Sequence, residues 1–275
     1  HSRRTFFKTA GVALSSAALI ESIDGIRSAQ AGKPPLALGM ASYTFRKFNL
    51  EECIAMTKRL GLERIAFKSF HLPLEASSTE IADTVQKVNA AGLKLYGGGV
   101  IYMKNEEQVH RGFEYAKAAG MDMIIGVPNH EFLDLVEQKV KEYNIVMAIH
   151  NHGPNDKVFP SPKSVYDKLQ GRDARMGLCI DIGHTQRLGL DPAEEFLKYK
   201  DRVFDIHIKD VTTASEDGKT LEIGRGVIDM PKFIKTLVEQ NYNGTASLEL
   251  DKDAADPLPG AAESIGYVRG ILASI

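Results

Sequence analysis

The sequence has little cysteine, no long apolar run and no large excess of charge of either sign. Its two cysteines, Cys53 and Cys179, are too few for a disulfide framework and form no C-x-x-C pair, so we expect two buried free thiols. The formal net charge of −2 argues against a broad basic surface for nucleic acid. The remaining composition, 43% hydrophobic and 25% charged, is typical of a globular protein.

The N-terminal segment carries the pattern of an export signal. Its residues Ser2–Lys8 read SRRTFFK and resemble the twin-arginine motif. A small-residue apolar stretch spans 10–20, and Ala-Gln-Ala at 29–31 is typical of a cleavage site. We therefore predict a twin-arginine-type signal peptide over residues 1–31 and a periplasmic protein. The alternative is an uncleaved surface helix with a chance arginine pair.

The apolar stretch at 10–20 is well short of the roughly 20 residues that cross a bilayer, so no stable membrane anchor is expected. Without residues 1–31 the chain has 30 basic and 34 acidic residues, a net charge of −4. Because the twin-arginine route carries folded proteins, an exported metalloprotein fits this pattern.

From residue 35 onward, short apolar runs alternate with longer amphipathic ones. The predicted strands are 36–42, 64–68, 93–100, 121–127, 144–150, 176–182, 203–209 and 246–250. The predicted helices are 50–60, 79–91, 106–119, 131–143, 161–169, 192–200, 231–241 and 261–273.

Eight strand-then-helix units indicate parallel strands with crossover helices. A closed (β/α)8 barrel and an open doubly wound sheet both have this order. The even spacing and the lack of a G-x-G-x-x-G motif after the first strand favour the barrel. We predict a single α/β domain over 35–275, an eight-stranded parallel TIM barrel.

In such a barrel the functional groups gather at the C-terminal ends of the strands. Four consecutive predicted strands end in side chains that can bind a metal or transfer a proton: His150, His152, Asp181, His184, His207, Lys209 and Glu249. Taken one at a time, each has a structural explanation, such as a helix cap for Asp181 or a carbonyl partner for a buried histidine. Their occurrence at one rim favours a site, and mixed imidazole and carboxylate groups suit manganese, zinc, cobalt or iron.

Four motifs carry a resemblance to a known superfamily: DIGHT at 181–185, HIKD at 207–210, GRGVID at 224–229 and LELD at 248–251. With them, the chain from about residue 36 resembles the sugar phosphate isomerase/epimerase superfamily of xylose isomerase-like TIM barrels. The resemblance implies a barrel, a sugar or keto-sugar substrate and one divalent metal ion.

The resemblance also implies a ligand set. Superfamily members bind metal through Glu, Asp, His and Glu, and the last three positions correspond to Asp181, His207 and Glu249. The first position usually reads E-x-H, and this sequence has His150-Asn151-His152 there. His150 then replaces a glutamate that serves epimerases as an acid/base group. We therefore predict Glu249 as one acid/base group and His150 or His152 as the other.

The substrate contacts implied by the resemblance are less specific. His184 is expected to contact substrate hydroxyls, and His71, Lys68, Lys209 and Arg225 are candidates for substrate oxygens. For Lys209 and Arg225 an ordinary loop charge is the alternative. Barrels of this class often pair, so a homodimer is one expected state, although no segment of the sequence indicates an interface.

The predicted reaction is proton abstraction next to a carbonyl, with a metal-stabilised enediolate, leading to epimerisation or aldose–ketose isomerisation. Expulsion of a β-oxygen group from a keto-sugar or 3-keto-glycoside, as in a lyase or dehydratase, is the first alternative. A non-catalytic sugar-binding barrel is an alternative of another class. An endonuclease IV-like enzyme is disfavoured by the negative charge and by the lack of a glutamate at the end of the fourth strand.

Overall fold

Eight parallel strands form a closed barrel in the computed structural model, which describes residues 36–275. Each strand pairs with its neighbours in chain order, and the last pairs with the first. The strands are β1 Ala37–Ala41, β2 Arg64–Phe67, β3 Lys94–Met103, β4 Met123–Pro128, β5 Val146–His150, β6 Met176–Asp181, β7 Val203–Ile208 and β8 Thr245–Leu248. The predicted (β/α)8 TIM barrel is confirmed.

Helices connect successive strands and follow the last one. They are α1 Leu50–Arg59, α2 Ser78–Ala90, α3 Glu106–Ala118, α4 Leu133–Tyr143, α5 Pro162–Lys168, α6 Ile182–Gln186, α7 Pro192–Tyr199, α8 Met230–Glu239 and α9 Leu258–Leu272. Single turns of 3-10 helix lie at Ser42–Phe45, His130–Phe132 and Lys200–Arg202.

Local sequence signals set the helix starts. Asn49 and Ser77 each accept a hydrogen bond from the backbone of a glutamate three residues later, and that glutamate bonds back to the cap in both cases. Pro192 occupies the first turn of α7, where its missing N–H costs no helical bond. These signals fix the residues at which α1, α2 and α7 begin.

Three features differ from the sequence-based expectation. β3 continues to Met103, three residues beyond its predicted end. The short helix α6 begins immediately after β6. A small antiparallel hairpin, Asp210–Val211 with Thr220–Leu221, follows β7. Each lies at the C-terminal rim, where loops that build the site replace regular connections.

The core extends through the barrel and between the barrel and its helices. Cys53 and Cys179 are both buried and unpaired, as predicted. None of the helices within residues 36–275 is long and apolar enough to cross a bilayer. The predicted signal peptide at 1–31 lies outside the described residues and stays a prediction.

Candidate active site

The ends of four consecutive strands bring together the four side chains predicted as metal ligands. His150 ends β5, Asp181 ends β6, His207 lies one residue before the end of β7, and Glu249 directly follows β8. Each offers one donor atom, and these four atoms lie within 4.8 Å of one another. All four residues are buried. The parallel alignment of the strands therefore builds one cluster from four positions spread over about 100 residues of the chain.

The spacing of the donor atoms suits a divalent cation. Nε2 of His150 lies 3.2 Å from Nδ1 of His207 and 3.5 Å from Oδ2 of Asp181. Nδ1 of His207 lies 3.6 Å from Oε2 of Glu249. Ligand atoms about 2.1 Å from a tetrahedral ion are themselves about 3.4 Å apart, so these separations match the edges of a coordination polyhedron.

The electrostatics of the cluster also favour a cation. Burial holds the pKa of His150 well below its usual range, so this imidazole is uncharged and has a free lone pair. Burial has the same effect on His207, but the carboxylates of Glu249 and Asp205 outweigh it and raise the pKa of His207. The field at His207 thus stabilises positive charge, which a proton or a metal ion can supply.

Asp181 serves both the helix and the site. Its Oδ1 accepts the backbone N–H of His184 over 2.8 Å and caps α6. Its Oδ2 faces His150 and the ammonium of Lys209. Burial alone would raise the pKa of Asp181, but the nearby His184 and Lys209 hold it below its usual range. The cap that sequence analysis offered as an alternative to ligation uses only one of the two oxygens.

Lys209 lies among the predicted ligands. Its Nζ is 2.8 Å from Oδ2 of Asp181 and 2.5 Å from Oε2 of Glu249. Burial opposes protonation, yet the two carboxylates keep the pKa of Lys209 above its usual value. Its aliphatic chain crosses Gly183, where an added Cβ would lie 2.4 Å from Cγ of the lysine. This close approach explains the glycine in the DIGHT motif.

His184 is oriented by an arginine that sequence analysis did not identify. Nη1 of Arg187 lies 3.3 Å from Nδ1 of His184. Since a guanidinium only donates, Nδ1 is the acceptor and the neutral ring carries its proton on Nε2. That Nε2 lies 3.9 Å from Oδ2 of Asp181, and burial lowers the pKa of His184 to about 4. His184 is therefore an uncharged donor beside the predicted ligands.

His152 lies beside His150, as expected for side chains two residues apart on a strand. The two rings have centroids 4.5 Å apart. Nε2 of His152 lies 3.1 Å from the hydroxyl of Tyr102, and the two rings stack at 16°. Burial lowers the pKa of His152, which leaves an uncharged imidazole able to accept a proton.

A second carboxylate approaches His207 from the barrel interior. Oδ2 of Asp205 lies 3.5 Å from Nε2 of His207, on the side of the ring away from the other predicted ligands. Oδ1 of Asp205 accepts the hydroxyl of Tyr96 over 3.1 Å, and that hydroxyl also contacts Oγ of Ser247 at 2.6 Å. This buried arrangement directs Nδ1 of His207 toward the cluster.

A cavity of about 720 Å³ opens above the cluster. Of the sequence-predicted residues, it contacts His150, His152, His184, Lys68, Lys209 and Glu249. Its other lining side chains include Tyr43, Tyr102, Arg187, Lys219, Asp251 and Lys252. Asp181 and His207 form the floor behind these residues. A small sugar fits within this volume.

Two predicted substrate contacts do not line the cavity. His71 points its Nε2 to the carbonyl of Phe48 at 3.1 Å. Arg225 is exposed and forms a bidentate ion pair with Glu263 at 2.5 and 2.7 Å. The placement of His71 and Arg225 gives no support to the expectation that they bind substrate. By contrast, Lys68 does line the cavity, with its Nζ bonded to the carbonyl of Val100.

A buried carboxylate, which the sequence alone did not reveal, explains the conformation of the GRGVID loop. The buried carboxylate of Asp210 accepts the backbone N–H groups of Gly224, Gly226 and Ile228 at 3.0 to 3.1 Å. A Cβ on Gly226 would lie 2.2 Å from Oδ1 of Asp210. The loop is folded around this carboxylate, and Arg225 is directed outward.

Sequence reasoning missed three residues that shape the site. Tyr102 lies on the unpredicted end of β3, where the apolar pattern continues after the glycines. Arg187 lies one helical turn after His184, a spacing that places both on one face. Asn151 is buried and ties β5 to β6 by accepting the backbone N–H of Asp181. No pattern in the sequence indicates the role of Asn151.

Comparison with known proteins agrees with this architecture. The sequence profile described as xylose isomerase-like TIM barrel matches residues 42–271. The chain belongs to this family. Like other xylose isomerase-like TIM barrels, it has a closed parallel barrel, and its solved neighbours include sugar epimerases and a dehydratase.

Three relatives illustrate the range of similarity. An inosose dehydratase of Geobacillus kaustophilus is 32% identical over 93 residues, which are 28% of this chain and 30% of that protein. A protein of Parabacteroides distasonis without assigned function is 26% identical, with a TM-score of 0.68 over 86% of this chain and 99% of its own. The 3-keto-D-glucoside 4-epimerase YcjR of E. coli has 14% identity, coverage of 86% and 99%, and a TM-score of 0.68.

The alignment with the dehydratase spans about a third of that protein, and the likeness to YcjR shows the fold alone. Together with the profile match, these comparisons establish the family and the fold, and the activity of the chain is a matter for proposal.

Proposed function

We propose that this protein is a metal-dependent sugar isomerase or epimerase that removes a proton next to a carbonyl group. The observation that carries the proposal is the cluster of His150, Asp181, His207 and Glu249, whose donor atoms lie within 4.8 Å of one another at the floor of a cavity. A divalent ion held by these four residues would act as a Lewis acid and stabilise negative charge on substrate oxygens. Manganese, zinc, cobalt and iron suit this donor set.

The geometry supports His152 and Glu249 as the acid/base pair. His152 lines the cavity and burial favours its uncharged form, so this imidazole can act as the base, with Nε2 shared with the hydroxyl of Tyr102. Glu249 also lines the cavity, and although burial would raise its pKa, Lys209 and His207 keep it well below its usual value. His150 is fully buried with Nε2 directed at His207, which suits a ligand better than a base.

The hydroxyl of Tyr102 positions the proposed base. Its contact with Nε2 of His152 at 3.1 Å and the stacking of the two rings restrict the imidazole to one orientation. The Nε2–H of His184 and the ammonium of Lys209 are the available donors for substrate oxygens. Proton return to the opposite face gives epimerisation, and return to the neighbouring carbon gives isomerisation.

Elimination of a β-oxygen group is the second candidate. The curated relatives that match this chain are inosose dehydratases, and dehydration begins with the same proton abstraction. The single carboxylate at the acid/base positions also favours it, because a histidine that has taken up the proton can hand it to a departing oxygen. The two reactions differ in what the substrate loses.

Proton exchange and product mass separate these reactions. The full chain, reconstituted with Mn²⁺ or Co²⁺, is incubated in D₂O with ketoses, aldoses and 3-keto-glucosides, and the products are followed by NMR and mass spectrometry. Isomerisation or epimerisation places one deuterium on carbon without loss of water, whereas elimination releases water or an alcohol and forms an enone. Metal-loaded protein that exchanges no substrate proton would overturn both proposals and leave a sugar-binding barrel. The Asp181→Asn variant serves as the metal-deficient control.

Export to the periplasm remains a proposal supported by Arg3, Arg4 and the Ala-Gln-Ala at 29–31. Cell fractionation of the full chain beside an Arg3→Lys, Arg4→Lys variant tests it. Retention of the variant in the cytoplasm is the expected result, and equal export of both would contradict a twin-arginine signal.

A further inference from the structure

The cavity is lined by more positive than negative side chains. Five cations line it, and two of them are paired with carboxylates. Lys209 pairs with Glu249 and Asp181, and Lys252 pairs with Glu222 at 2.7 Å. The positive charges of these two lysines are therefore neutralised within the protein, and Lys209 keeps a third N–H group for a neutral substrate oxygen.

The other three cations, Lys68, Arg187 and Lys219, form no ion pair with a carboxylate within residues 36–275. Lys68 donates to a backbone carbonyl on the β3 side of the cavity. Asp251 is the one lining carboxylate outside the ligand cluster in this part of the chain, and Arg46 neutralises it at 2.7 Å. The cavity therefore carries positive charge that no carboxylate of the described residues neutralises.

Arg187 is held in place without losing its charge. Nη2 donates to the carbonyl of Glu216 over 2.7 Å, and Nη1 faces the imidazole of His184 at 3.3 Å. Both acceptors are uncharged groups, and three of the five guanidinium N–H groups have no hydrogen-bond partner among the described residues. A guanidinium fixed in this way is preorganised for an anionic ligand.

The hairpin after β7 brings Gly218, the residue before Lys219, against Arg187, and both cations line the cavity. A Cβ on Gly218 would lie 3.0 Å from Cγ of Arg187, so the hairpin backbone packs directly on the arginine side chain. Thr212 closes the hairpin, because its Oγ1 accepts the backbone N–H of Lys219. The acidic hairpin side chains, Glu216 and Asp217, do not line the cavity.

We propose that Arg187 and Lys219 form an anion subsite, so that the substrate of this enzyme is an acidic sugar carrying a carboxylate or a phosphate. The proposal rests on the proposed function, since it places the anionic group in the same cavity as the ligand cluster. His184 separates the two, with Nδ1 toward Arg187 and Nε2 toward Asp181. A sugar whose anionic group pairs with Arg187 can therefore present its other carbons to His152 and Glu249.

Binding measurements test the subsite without requiring turnover. Isothermal titration of the metal-reconstituted full chain uses three probes: 2-keto-D-gluconate with a carboxylate, D-fructose 6-phosphate with a phosphate, and neutral D-fructose. One of the anionic sugars is expected to bind about 10- to 100-fold more tightly than fructose, because a charge-assisted bidentate contact contributes that much. Which one binds more tightly distinguishes carboxylate from phosphate.

The Arg187→Met variant should lose this advantage, and Lys219→Met should lose part of it. Arg59→Met, on the exposed outer face of α1, is the matched control and should retain it. Arg187→Lys keeps a positive charge and should retain part of the preference even if Arg187→Met folds poorly. The preference should also fall as salt rises.

Two results would overturn the subsite: no anionic preference in the wild type, or an unchanged preference in both Arg187→Met and Lys219→Met. Deuterium exchange into fructose without any anionic preference would overturn the subsite and leave the proposed reaction intact. An anionic preference in a protein that exchanges no substrate proton would support the subsite and contradict the proposed reaction.

Discussion

Asp181 accepts the backbone N–H of His184 over 2.8 Å with one carboxylate oxygen and presents the other to the predicted metal site. Helix α6 thereby starts at a ligand, and His184 is fixed relative to it. The arrangement couples the local fold of the rim to the chemistry of the site. It also allows the two roles of one carboxylate to be separated by substitution.

Asp181→Asn and Asp181→Ala should both abolish metal binding, because each removes the anionic oxygen. Only the alanine variant loses the helix cap, so its free energy of unfolding in metal-free buffer should be about 1 kcal/mol lower than that of the asparagine variant. Metal content by mass spectrometry and urea unfolding measure the two effects. An asparagine variant with a full complement of metal would contradict ligation by Asp181.

Substitution of His150 should change the metal affinity, whereas substitution of His152 should change the turnover. His150→Ala removes a ligand and should weaken metal affinity by more than the roughly 10- to 100-fold typical of an outer-shell loss. His152→Ala should retain the metal and reduce turnover about 10²- to 10⁴-fold, as expected for loss of a general base. Competition with a chromogenic chelator measures affinity, and the deuterium-exchange assay measures turnover. Normal metal affinity in His150→Ala would show that His150 is not a metal ligand.

The eight-strand order was predictable because the strands are short, largely apolar runs, the helices between them are amphipathic, and most of these helices begin at a capping side chain. Parallel strands then bring His150, Asp181, His207 and Glu249 to one rim, so the cluster followed from the fold. The directions of loop side chains, in contrast, depend on contacts between residues that are distant in the sequence. Asp210 folds the GRGVID loop around itself, and no periodicity indicates that Arg225 faces outward.

The end of β3 was missed for a related reason. The strand was predicted to end at residue 100, yet β3 continues to Met103 and pairs with β4 on both sides of a register shift between Gly99 and Ile101. Tyr102 lies on this extension and contacts His152 across the rim. Glycines inside a strand often mark a bulge rather than its end, and the pairing with β4 beyond the bulge is not visible in the sequence.

Asp205 offers a test of how His207 is oriented. Asp205→Asn removes the negative charge that faces Nε2 of His207 at 3.5 Å, so we expect metal affinity to fall about 10- to 100-fold. Asp201→Asn, on an exposed turn of the same segment, is the control. The d–d spectrum of the Co²⁺-loaded protein should shift in the Asp205 variant alone. Unchanged affinity and an unchanged spectrum would show that packing alone orients the imidazole.

The environment of His184 should make the metal-free protein less stable in acid. The pKa of His184 is about 4 in the folded protein, because burial disfavours the charged ring, and roughly 6.5 when the chain is unfolded. Because the folded pKa is the lower one, the stability linked to His184 is fully present above about pH 6.5 and is lost as the pH falls toward 4, by on the order of 3 kcal/mol. His184→Gln should therefore flatten urea-unfolding profiles between these pH values, measured in chelator so that metal release does not contribute. His110→Gln on α3 should keep the wild-type slope. Equal slopes in all three proteins would show that the pKa of His184 is the same in the folded and unfolded protein.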